Sequence, residues 1–213
     1  MHDADVKIIL ASKSPRRQAL LKKLNLDFEI MVSEFDESKV EKKGKKPCEY
    51  AMNLASQKAL TVANLITEKI KNSKCAGEKK HEYMVIGADT IVVLNDHILG
   101  QPADEADARR MLKDLSGVNN EVITGISIIR LKDGKITQSS DYESTFVQFK
   151  NLSDYEIDRY IKTGEPMDKA GAYGIQGVAS IFVEKINGCY FNVVGLPLMK
   201  LSKLFEKNDY ILI

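Results

Sequence analysis

Cysteine and histidine are scarce in this sequence, with three residues of each. The cysteines are scattered and odd in number, and no CxxC pair occurs, so we expect reduced thiols in a cytoplasmic protein rather than a disulfide framework. The histidines lie in polar, turn-like stretches and make no zinc-binding pattern with the cysteines. A histidine-based catalytic triad is therefore disfavoured, and carboxylates are the better candidates for acid–base chemistry. The residues are Cys48, Cys75, Cys189, His2, His81 and His97.

An excess of one charge and long apolar segments are also absent. With 31 basic and 30 acidic residues, the formal net charge is +1, so no global field attracts nucleic acid or acidic lipid. The apolar runs are far shorter than a membrane span, and the polar N-terminus has no signal-peptide core. We therefore expect neither nucleic acid nor a membrane as a partner. At 213 residues the chain is long enough to bury a core without disulfides or a structural metal.

Strand and helix patterns alternate along the chain, which favours an α/β or α+β fold with a mixed sheet. No clean linker divides it, so we expect one domain over residues 1–213, within which two lobes and a cleft can form. Asp133-Gly134 and Asn187-Gly188 each predict a hairpin. Strands are predicted at residues 6–11, 28–32, 83–88, 91–94, 121–131, 135–149, 181–186 and 189–194. Helices are predicted at residues 18–24, after Pro47, and at residues 104–115, 153–164 and after Pro197.

Residues 12–17 form a polar turn between a predicted strand and a predicted helix, with Pro15 at the first helical position and Ser14 as its cap. A helix N-terminus favours phosphate because its free N–H groups point outward. The hydroxyls of Ser12 and Ser14 and the guanidinium groups of Arg16 and Arg17 would strengthen such a site. The alternative is a capped helix with solvated basic residues.

Carboxylates that could serve catalysis occur at two places. Asp89 follows an apolar run, and a carboxylate at a strand end can bind a metal or orient water, unless it only forms an Asx turn. Glu34, Asp36 and Glu37 form a cluster suited to Mg²⁺ or Mn²⁺, although acidic loops are often merely solvated. Lys58 lies among apolar residues of the Pro47 helix, where it could bind phosphate or extend along the edge of the core.

Residues 165–177 combine several features of a ligand-binding loop. Glycines allow close approach of a backbone to a ligand, and they are interspersed here with a charged pair, an aromatic residue and the amide Gln176. Loops of this composition are typical of ligand sites, and a purely structural turn is the alternative.

Taken in order, several short motifs make the sequence resemble the Maf family of nucleotide pyrophosphatases, and the resemblance covers almost the whole chain. Each motif is weakly specific alone, whereas the ordered set is highly specific. The motifs are Ser12-x-Ser14-Pro15-Arg16-Arg17, Ala88-Asp89-Thr90, Leu115-Ser116-Gly117, Thr124-Gly125, residues 164–177 and Val194-Gly195-Leu196-Pro197. Two positions depart from the pattern: Gln101 replaces the usual lysine before Pro102, and Asn120 replaces a histidine.

The resemblance implies an elongated, two-lobed α/β fold with a central cleft, related to the inosine-triphosphate pyrophosphatases. It also implies metal-dependent cleavage of a nucleoside triphosphate to the monophosphate and pyrophosphate. The family's functional positions fall here on Arg16, Arg17, Glu37, Lys58, Asp89, Thr90 and Gln176. Local chemistry adds Ser12, Ser14 and Lys169 as substrate-binding candidates.

We therefore hypothesise that Asp89 is the catalytic residue and that Asp89 and Glu37 hold Mg²⁺ or Mn²⁺. Whether Asp89 acts as base, as metal ligand or as both stays open. The loop ending in Gln176-Gly177 resembles that of the family branch that takes dTTP and UTP. Gln176 is the residue of interest there, since one amide can pair with both N3–H and O4 of thymine or uracil. The alternatives are an inosine or xanthosine triphosphate pyrophosphatase and a non-catalytic nucleotide-binding regulator of septum formation. A homodimer is an open expectation.

Overall fold

The computed structural model describes residues 6–41, 44–72 and 82–212. The polar loop predicted at residues 71–82 lies mostly outside these ranges, as do His2, Cys75 and His81. None of the described helices is long and apolar enough to cross a membrane. The strands are β1 (Val6–Leu10), β2 (Phe28–Ile30), β3 (Glu82–Leu94), β4 (His97–Leu99), β5 (Asn119–Lys132), β6 (Lys135–Phe149) and β7 (Val183–Asn187). The α-helices are α1 (Pro15–Lys22), α2 (Pro47–Asn72), α3 (Glu105–Leu115), α4 (Asp154–Ile161), α5 (Tyr190–Val194) and α6 (Leu198–Lys207).

The strands form one mixed sheet in the order β2-β1-β3-β5-β6-β7, with β4 paired to β3. This confirms the predicted α/β class with a mixed sheet. The chain divides into two compact units. Unit one comprises the described residues up to Asp89, Gly125–Tyr142 and those from Leu198 onward, and unit two comprises Thr90–Thr124 and Glu143–Pro197. Three of the four divisions fall inside β3, β5 and β6, and the fourth lies between α5 and α6.

In unit one, β1 pairs in parallel with β2 and with β3. Parallel neighbours need long crossover connections, which α1 and α2 supply between successive strands. Such strands are largely covered and are therefore rich in apolar residues, as Ile8–Leu10 of β1 are. The core here packs β1, α2, β3 and β5 together through Ile9, Ala59, Val62, Val85 and Ile129.

Two glycines let helix α2 approach the sheet closely in unit one. A Cβ at Gly87 of β3 would lie 2.0 Å from the Ala55 carbonyl oxygen, and one at Gly125 of β5 would lie 2.3 Å from the Ala51 carbonyl carbon. The opposing atoms belong to the helix backbone and cannot move aside as a flexible side chain would. Alanines face these glycines from the helix, so small residues on both elements set the distance between α2 and β3.

Gly87→Ala is expected to lower the free energy of unfolding by about 2–3 kcal/mol, because overpacking at this point forces α2 away from β3. Turnover should fall as well, since α2 carries Lys58. Urea unfolding and turnover measured on one preparation would test both effects. Gly100→Ala is the matched control, because a Cβ there meets nothing within 4 Å; equal stability of the two variants would contradict this account of the packing.

Turn chemistry sets two hairpins, both with two residues at positive φ, as type I′ turns require. Asp133 (φ 49°) and Gly134 (φ 74°) join β5 to β6, as predicted. Asn95 (φ 49°) and Asp96 (φ 63°) join β3 to β4, a short strand that the sequence pattern did not indicate.

Unit two has a core of its own, built around packed aromatic rings. Phe149 meets Tyr173 edge-on with centroids 4.7 Å apart, and Tyr160 meets Phe182 in the same manner at 5.2 Å. Helix α4 begins at the predicted capping box, in which Ser153 and Glu156 each bond the other's backbone N–H. Burial of the Tyr160 and Tyr173 rings raises the pKa of both phenols, so these tyrosines stay neutral.

The predicted hairpin at residues 181–194 is wrong. Residues 183–187 form β7, which pairs with β6, but the second half of the segment is helix α5. The run of β-prone residues after Gly188 is overridden by tertiary contacts. The buried Asn192 side chain donates to the Val122 carbonyl and to Thr145 Oγ1, and a helical turn presents it to both.

Candidate functional site

Two carboxylates of unit one, those of Asp89 and Glu37, contact the ammonium group of Lys58. Its Nζ lies 2.5 Å from Asp89 Oδ1 and 2.7 Å from Glu37 Oε1. Only 15% of the Lys58 side chain and 10% of the Asp89 side chain are exposed, whereas that of Glu37 is 54% exposed. The group therefore runs from a buried carboxylate, through a nearly buried cation, to a carboxylate open to solvent.

The close packing of α2 on β3 places Lys58 against Asp89. Side chains two residues apart project to the same face of a strand, so Asp89 faces α2 as Gly87 does. Ala55 and Ala59 contact Gly87, and Lys58 lies between them in the sequence, on the adjoining part of the helix surface. Because Gly87 has no side chain, the helix lies close enough to β3 for Lys58 to contact the Asp89 carboxylate.

Asp89 was predicted at a strand end, and this prediction is wrong. Strand β3 continues through it without interruption from Glu82 to Leu94. The apolar residues on both sides of Asp89 are buried, so the strand is stabilised along its length and the polar residue is held within it. A rigid strand rather than a turn therefore positions this carboxylate.

Of the acidic cluster predicted at residues 34–37, only Glu37 reaches Lys58. Asp36 instead begins a short 3₁₀ turn at Glu37–Lys39, where its Oδ1 accepts from Ser38 N at 3.1 Å and from Ser38 Oγ at 2.7 Å. Those bonds lower the pKa of Asp36. Glu34 is exposed. Within residues 6–41, 44–72 and 82–212, no group of three or more His, Cys, Asp or Glu side chains could hold a metal.

The electrostatic balance at Asp89 favours the protonated form more than in water. Burial raises the pKa of Asp89 above its ordinary value, and Glu37 adds to this, while Lys58 and Arg17 oppose it. The net direction is upward. A carboxylate whose pKa lies closer to neutrality is a better general base than an exposed aspartate.

The turn before α1 brings Arg17 to the same charges. Burial lowers the pKa of Arg17, Asp89 opposes that shift and Arg16 adds to it. The Arg17 guanidinium donates to Ser12 Oγ at 3.3 Å, and Ser14 N donates to the same oxygen at 3.2 Å. Ser14 occupies the predicted N-cap position of α1, but its side chain makes no capping hydrogen bond. Ser12 therefore organises this turn.

Arg16 and the N-terminus of α1 complete the basic part of the group. No hydrogen bond or ion pair joins the Arg16 guanidinium to another residue in the described part of the chain, and its side chain is half-buried. Because Arg16 and Arg17 are adjacent and like-charged, an anion bound beside them would relieve their repulsion.

In unit two, Thr90 follows Asp89 directly along β3 and its hydroxyl lies 2.9 Å from Thr124 Oγ1.

Asn120, which stands where the family usually has histidine, makes two buried hydrogen bonds. Its Nδ2 donates to the Val147 carbonyl at 3.0 Å, and its Oδ1 accepts from the Tyr173 hydroxyl at 2.8 Å. Asn120 is thus a buried structural residue, for which an asparagine suffices.

The loop at residues 165–177 is braced from within. Lys169 Nζ donates to the Glu165 carbonyl and to Asp168 Oδ1, both at 2.6 Å, and Glu165 Oε2 accepts from Val178 N at 2.9 Å. Gly177 is required here because a Cβ would lie 2.2 Å from the Glu165 carboxylate. Gln101, the other departure, donates to the Asp168 carbonyl at 3.1 Å and so supports the same loop.

Gln176 lies exposed on this braced loop. Across the described residues, no protein group hydrogen-bonds with its side-chain amide, so support of the loop rests on Glu165, Lys169 and Gln101. The alternative interpretation of Gln176 as a structural brace is therefore disfavoured.

Sequence reasoning missed Tyr50, which lies near the charged group. It is 4% exposed, and burial together with the charges of Asp89 and Glu37 raises the pKa of its phenol. Tyr50 precedes Lys58 by eight residues on α2, and residues at that spacing share one face of a helix. That spacing could have identified it.

Comparisons of the sequence with known proteins identify its family. A family model described as "Maf-like protein" matches residues 7–208. The chain is 50% identical over 197 residues to a "dTTP/UTP pyrophosphatase" of Clostridium botulinum (strain 657 / Type Ba4), covering 92% of this chain and 94% of the relative. It is also 50% identical over 203 residues to a protein of that name from Thermoanaerobacter sp. (strain X514), covering 95% and 97%. A match along nearly the whole length, at this level of identity, shows that the chain belongs to the Maf family.

Proposed function

We propose that this protein is a nucleoside triphosphate pyrophosphatase that hydrolyses dTTP and UTP to the monophosphate and pyrophosphate. The observation that carries the proposal is the contact of Lys58 with Asp89 and Glu37, beside Arg17. This group joins a buried carboxylate of raised pKa to cations that suit a polyphosphate. The names of the clostridial and Thermoanaerobacter relatives support the substrate assignment.

In the proposed mechanism, cations of unit one bind the triphosphate. Arg16, Arg17 and the N-terminus of α1, with the hydroxyls of Ser12 and Ser14, bind phosphate oxygens. Lys58 carries three N–H donors, of which Asp89 and Glu37 engage two, so one remains for phosphate. These groups stabilise the negative charge that passes to the leaving pyrophosphate.

Asp89 accepts a proton from the attacking water in this proposal. The water attacks the α-phosphorus, its new P–O bond forms as the bond to the bridging oxygen breaks, and that oxygen leaves with pyrophosphate. The raised pKa of Asp89 makes the carboxylate a stronger base than a solvated aspartate. Lys58 is within hydrogen-bonding distance of Asp89 Oδ1 and keeps the carboxylate in one orientation.

The described residues fit a divalent cation that is shared with the substrate. Mg²⁺ is commonly bound by one or two carboxylates plus substrate phosphates rather than by an all-protein cage. Asp89 and Glu37 provide two such carboxylates, which lie close together because both contact Lys58 Nζ. We propose that they hold Mg²⁺ or Mn²⁺, which when bound neutralises phosphate charge and lowers the pKa of water.

Glu37→Gln should raise the Mg²⁺ concentration needed for half-maximal turnover by about tenfold, since it removes one carboxylate charge and keeps the side-chain shape. Turnover of dTTP titrated with Mg²⁺ would measure the shift, and direct Mn²⁺ binding would give a readout independent of catalysis. Asp36→Asn is the control, because that carboxylate bonds within its own turn. An equal shift in both variants would point to loop damage rather than a lost ligand.

For the base, we propose that Gln176, with Thr90 and Lys169, contributes to recognition. The exposed amide of Gln176 offers an acceptor for N3–H and a donor for O4, the pair that thymine and uracil present side by side. Cytosine has an amino group at the 4-position and no N3–H, so it mismatches the amide in this orientation and pairs only if the amide is turned over. A site built on paired hydrogen bonds rejects such mismatches because polar groups are left unpaired.

Gln176→Glu should therefore reduce turnover of both dTTP and UTP and narrow their preference over CTP by about tenfold. A carboxylate still accepts from N3–H but repels O4. The ratio of kcat/KM for UTP to that for CTP is the quantity to measure. Gln138→Glu, at an exposed position on β6, is the matched control, because it adds the same charge. An unchanged ratio would remove Gln176 from base recognition.

A panel of triphosphates tests the function itself. Purified protein with Mg²⁺ or Mn²⁺ would be given each common and modified nucleoside triphosphate, and monophosphate and pyrophosphate would be quantified separately. We expect dTTP and UTP to be cleaved best, with little discrimination at the 2′ position. Preference for inosine or xanthosine triphosphate would move the protein to the purine class, and no turnover of any triphosphate would favour a nucleotide-binding regulator.

A further inference from the structure

A buried chain of hydrogen bonds begins at Thr90 in unit two. The Thr90 and Thr124 hydroxyl oxygens are 2.9 Å apart, and Thr124 Oγ1 donates to the backbone carbonyl of Asn192 at 3.0 Å. Thr124 and Asn192 are 0% exposed, whereas Thr90 is half-buried. The chain therefore connects the residue next to Asp89 to the interior of unit two.

The chemistry of the three groups fixes the direction of the protons. A carbonyl oxygen only accepts, and a hydroxyl has one proton to donate. The Thr124 proton must therefore be directed to Asn192, because the reverse arrangement would leave two acceptors facing each other in a buried place. With that proton committed, the Thr90 hydroxyl has to be the donor in its contact with Thr124.

Asn192, the last residue in this series of hydrogen bonds, is fixed in position. The Asn192 side chain uses both of its N–H donors, one to the Val122 carbonyl at 2.8 Å and one to Thr145 Oγ1 at 2.9 Å. Thr145 in turn accepts from Cys189 N at 3.0 Å. Any movement of Asn192 would therefore break these buried hydrogen bonds. They hold its backbone carbonyl in place to accept from Thr124.

We propose that Thr124 and Asn192 are positioning residues that make Thr90 a hydrogen-bond acceptor toward the substrate. Because its proton points inward, Thr90 can pair only with a substrate donor. This inference rests on the proposed function, in which Thr90 contacts the nucleotide. dTTP and UTP share two suitable donors, the N3–H of the base and the 3′-hydroxyl of the sugar, whereas cytosine N3 is an acceptor.

Thr124→Val tests the proposal, because valine keeps the shape of threonine and removes the acceptor of the Thr90 proton. Thr90 would then be able to donate as well as accept. If Thr90 faces N3, kcat/KM for CTP relative to UTP should rise by about tenfold, the size of one uncharged hydrogen bond. If it faces the sugar, the rise should occur for 3′-fluoro-3′-deoxythymidine triphosphate, whose fluorine can only accept, relative to dTTP. Thr124→Ser retains the hydroxyl and should leave both ratios unchanged.

The proposal would be overturned if Thr124→Val changed neither the CTP-to-UTP ratio of kcat/KM nor the ratio for the 3′-fluoro nucleotide to dTTP, even if the unaltered enzyme prefers dTTP and UTP. Absence of that preference in the unaltered enzyme would instead count against the proposed function. Melting curves would show that each variant is folded at the assay temperature. Should Thr124→Val not fold, Thr90→Val decides: loss of the acceptor should lower kcat/KM for dTTP and UTP by about tenfold, and Thr90→Ser, which retains the hydroxyl, should recover most of that loss. Equal activity of Thr90→Val and the unaltered protein would reject the role of Thr90.

Discussion

Asp89→Asn is expected to lower the turnover of dTTP and UTP at least about a hundredfold, the usual scale for loss of a general base or a catalytic charge. Asparagine keeps the shape of the side chain inside β3 and can still bond to Lys58 through its amide oxygen. The substitution removes the negative charge that, in the proposed mechanism, accepts the proton from water. Steady-state turnover with each triphosphate would measure the effect, and near-normal turnover would remove Asp89 from the catalytic role.

The same substitution should not destabilise the protein, which separates a catalytic loss from misfolding. Because the pKa of Asp89 is raised in the folded state, the stability that it contributes is fully present below its unfolded pKa and is lost as the pH rises through the folded pKa. Asparagine remains neutral at every pH. The variant should therefore match or exceed the melting temperature of the unaltered protein at neutral pH, and the gap should close as the pH falls toward about 4. Asp36→Asn, at an exposed carboxylate, is the control for turnover.

Lys58→Met is expected to reduce turnover by a similar factor of at least about a hundred, because it removes the cation that we propose contacts phosphate and leaves Asp89 without its closest partner. Methionine keeps an unbranched stem that packs along α2. The loss of Lys58 should also raise the pKa of Asp89 further, since Lys58 is the main charge that lowers it. The acid limb of the kcat/KM profile should then move to higher pH.

That pH shift distinguishes an electrostatic role for Lys58 from a packing role. Lys58→Arg retains the charge and should keep the acid limb near its original position, even if turnover falls. Lys69→Met, on the exposed last turn of the same helix, should change neither quantity. An unshifted acid limb in Lys58→Met would contradict the coupling of Lys58 to Asp89.

Local patterns predicted much of the fold. Pro47 and the apolar spacing after it predicted α2, Asp133-Gly134 predicted the β5–β6 turn, and Ser153 with Glu156 predicted the start of α4. Each of these signals acts over a few residues, so it can be recognised without knowledge of the packing. The contact of Lys58 with Asp89 spans 31 positions and depends on how closely α2 approaches β3 at Gly87. Only the resemblance to a family suggested that these residues belong to one site.

The errors lie where tertiary contacts override local preference. A strand end was predicted at Asp89 because a charged residue is rare within a buried strand. The strand continues there because Lys58 and Arg17 compensate the charge of Asp89. The residues of α5 favour a strand, yet Asn192 satisfies two buried partners only from a helical turn. The hydrogen bonds that link Thr90 through Thr124 to the Asn192 carbonyl join residues far apart in the sequence. No local pattern could indicate them.

The most direct test of the central claim is hydrolysis of dTTP and UTP in ¹⁸O-labelled water, with mass analysis of both products. Attack of water on the α-phosphorus predicts one heavy oxygen in dTMP or UMP and none in pyrophosphate, with the signal lost in Asp89→Asn. Label in pyrophosphate would place the attack on the β-phosphorus, and release of orthophosphate with dTDP or UDP would place the cut between the β- and γ-phosphates. Label in pyrophosphate would contradict the proposed attack on the α-phosphorus, and release of orthophosphate would contradict the assignment of this protein as a dTTP/UTP pyrophosphatase.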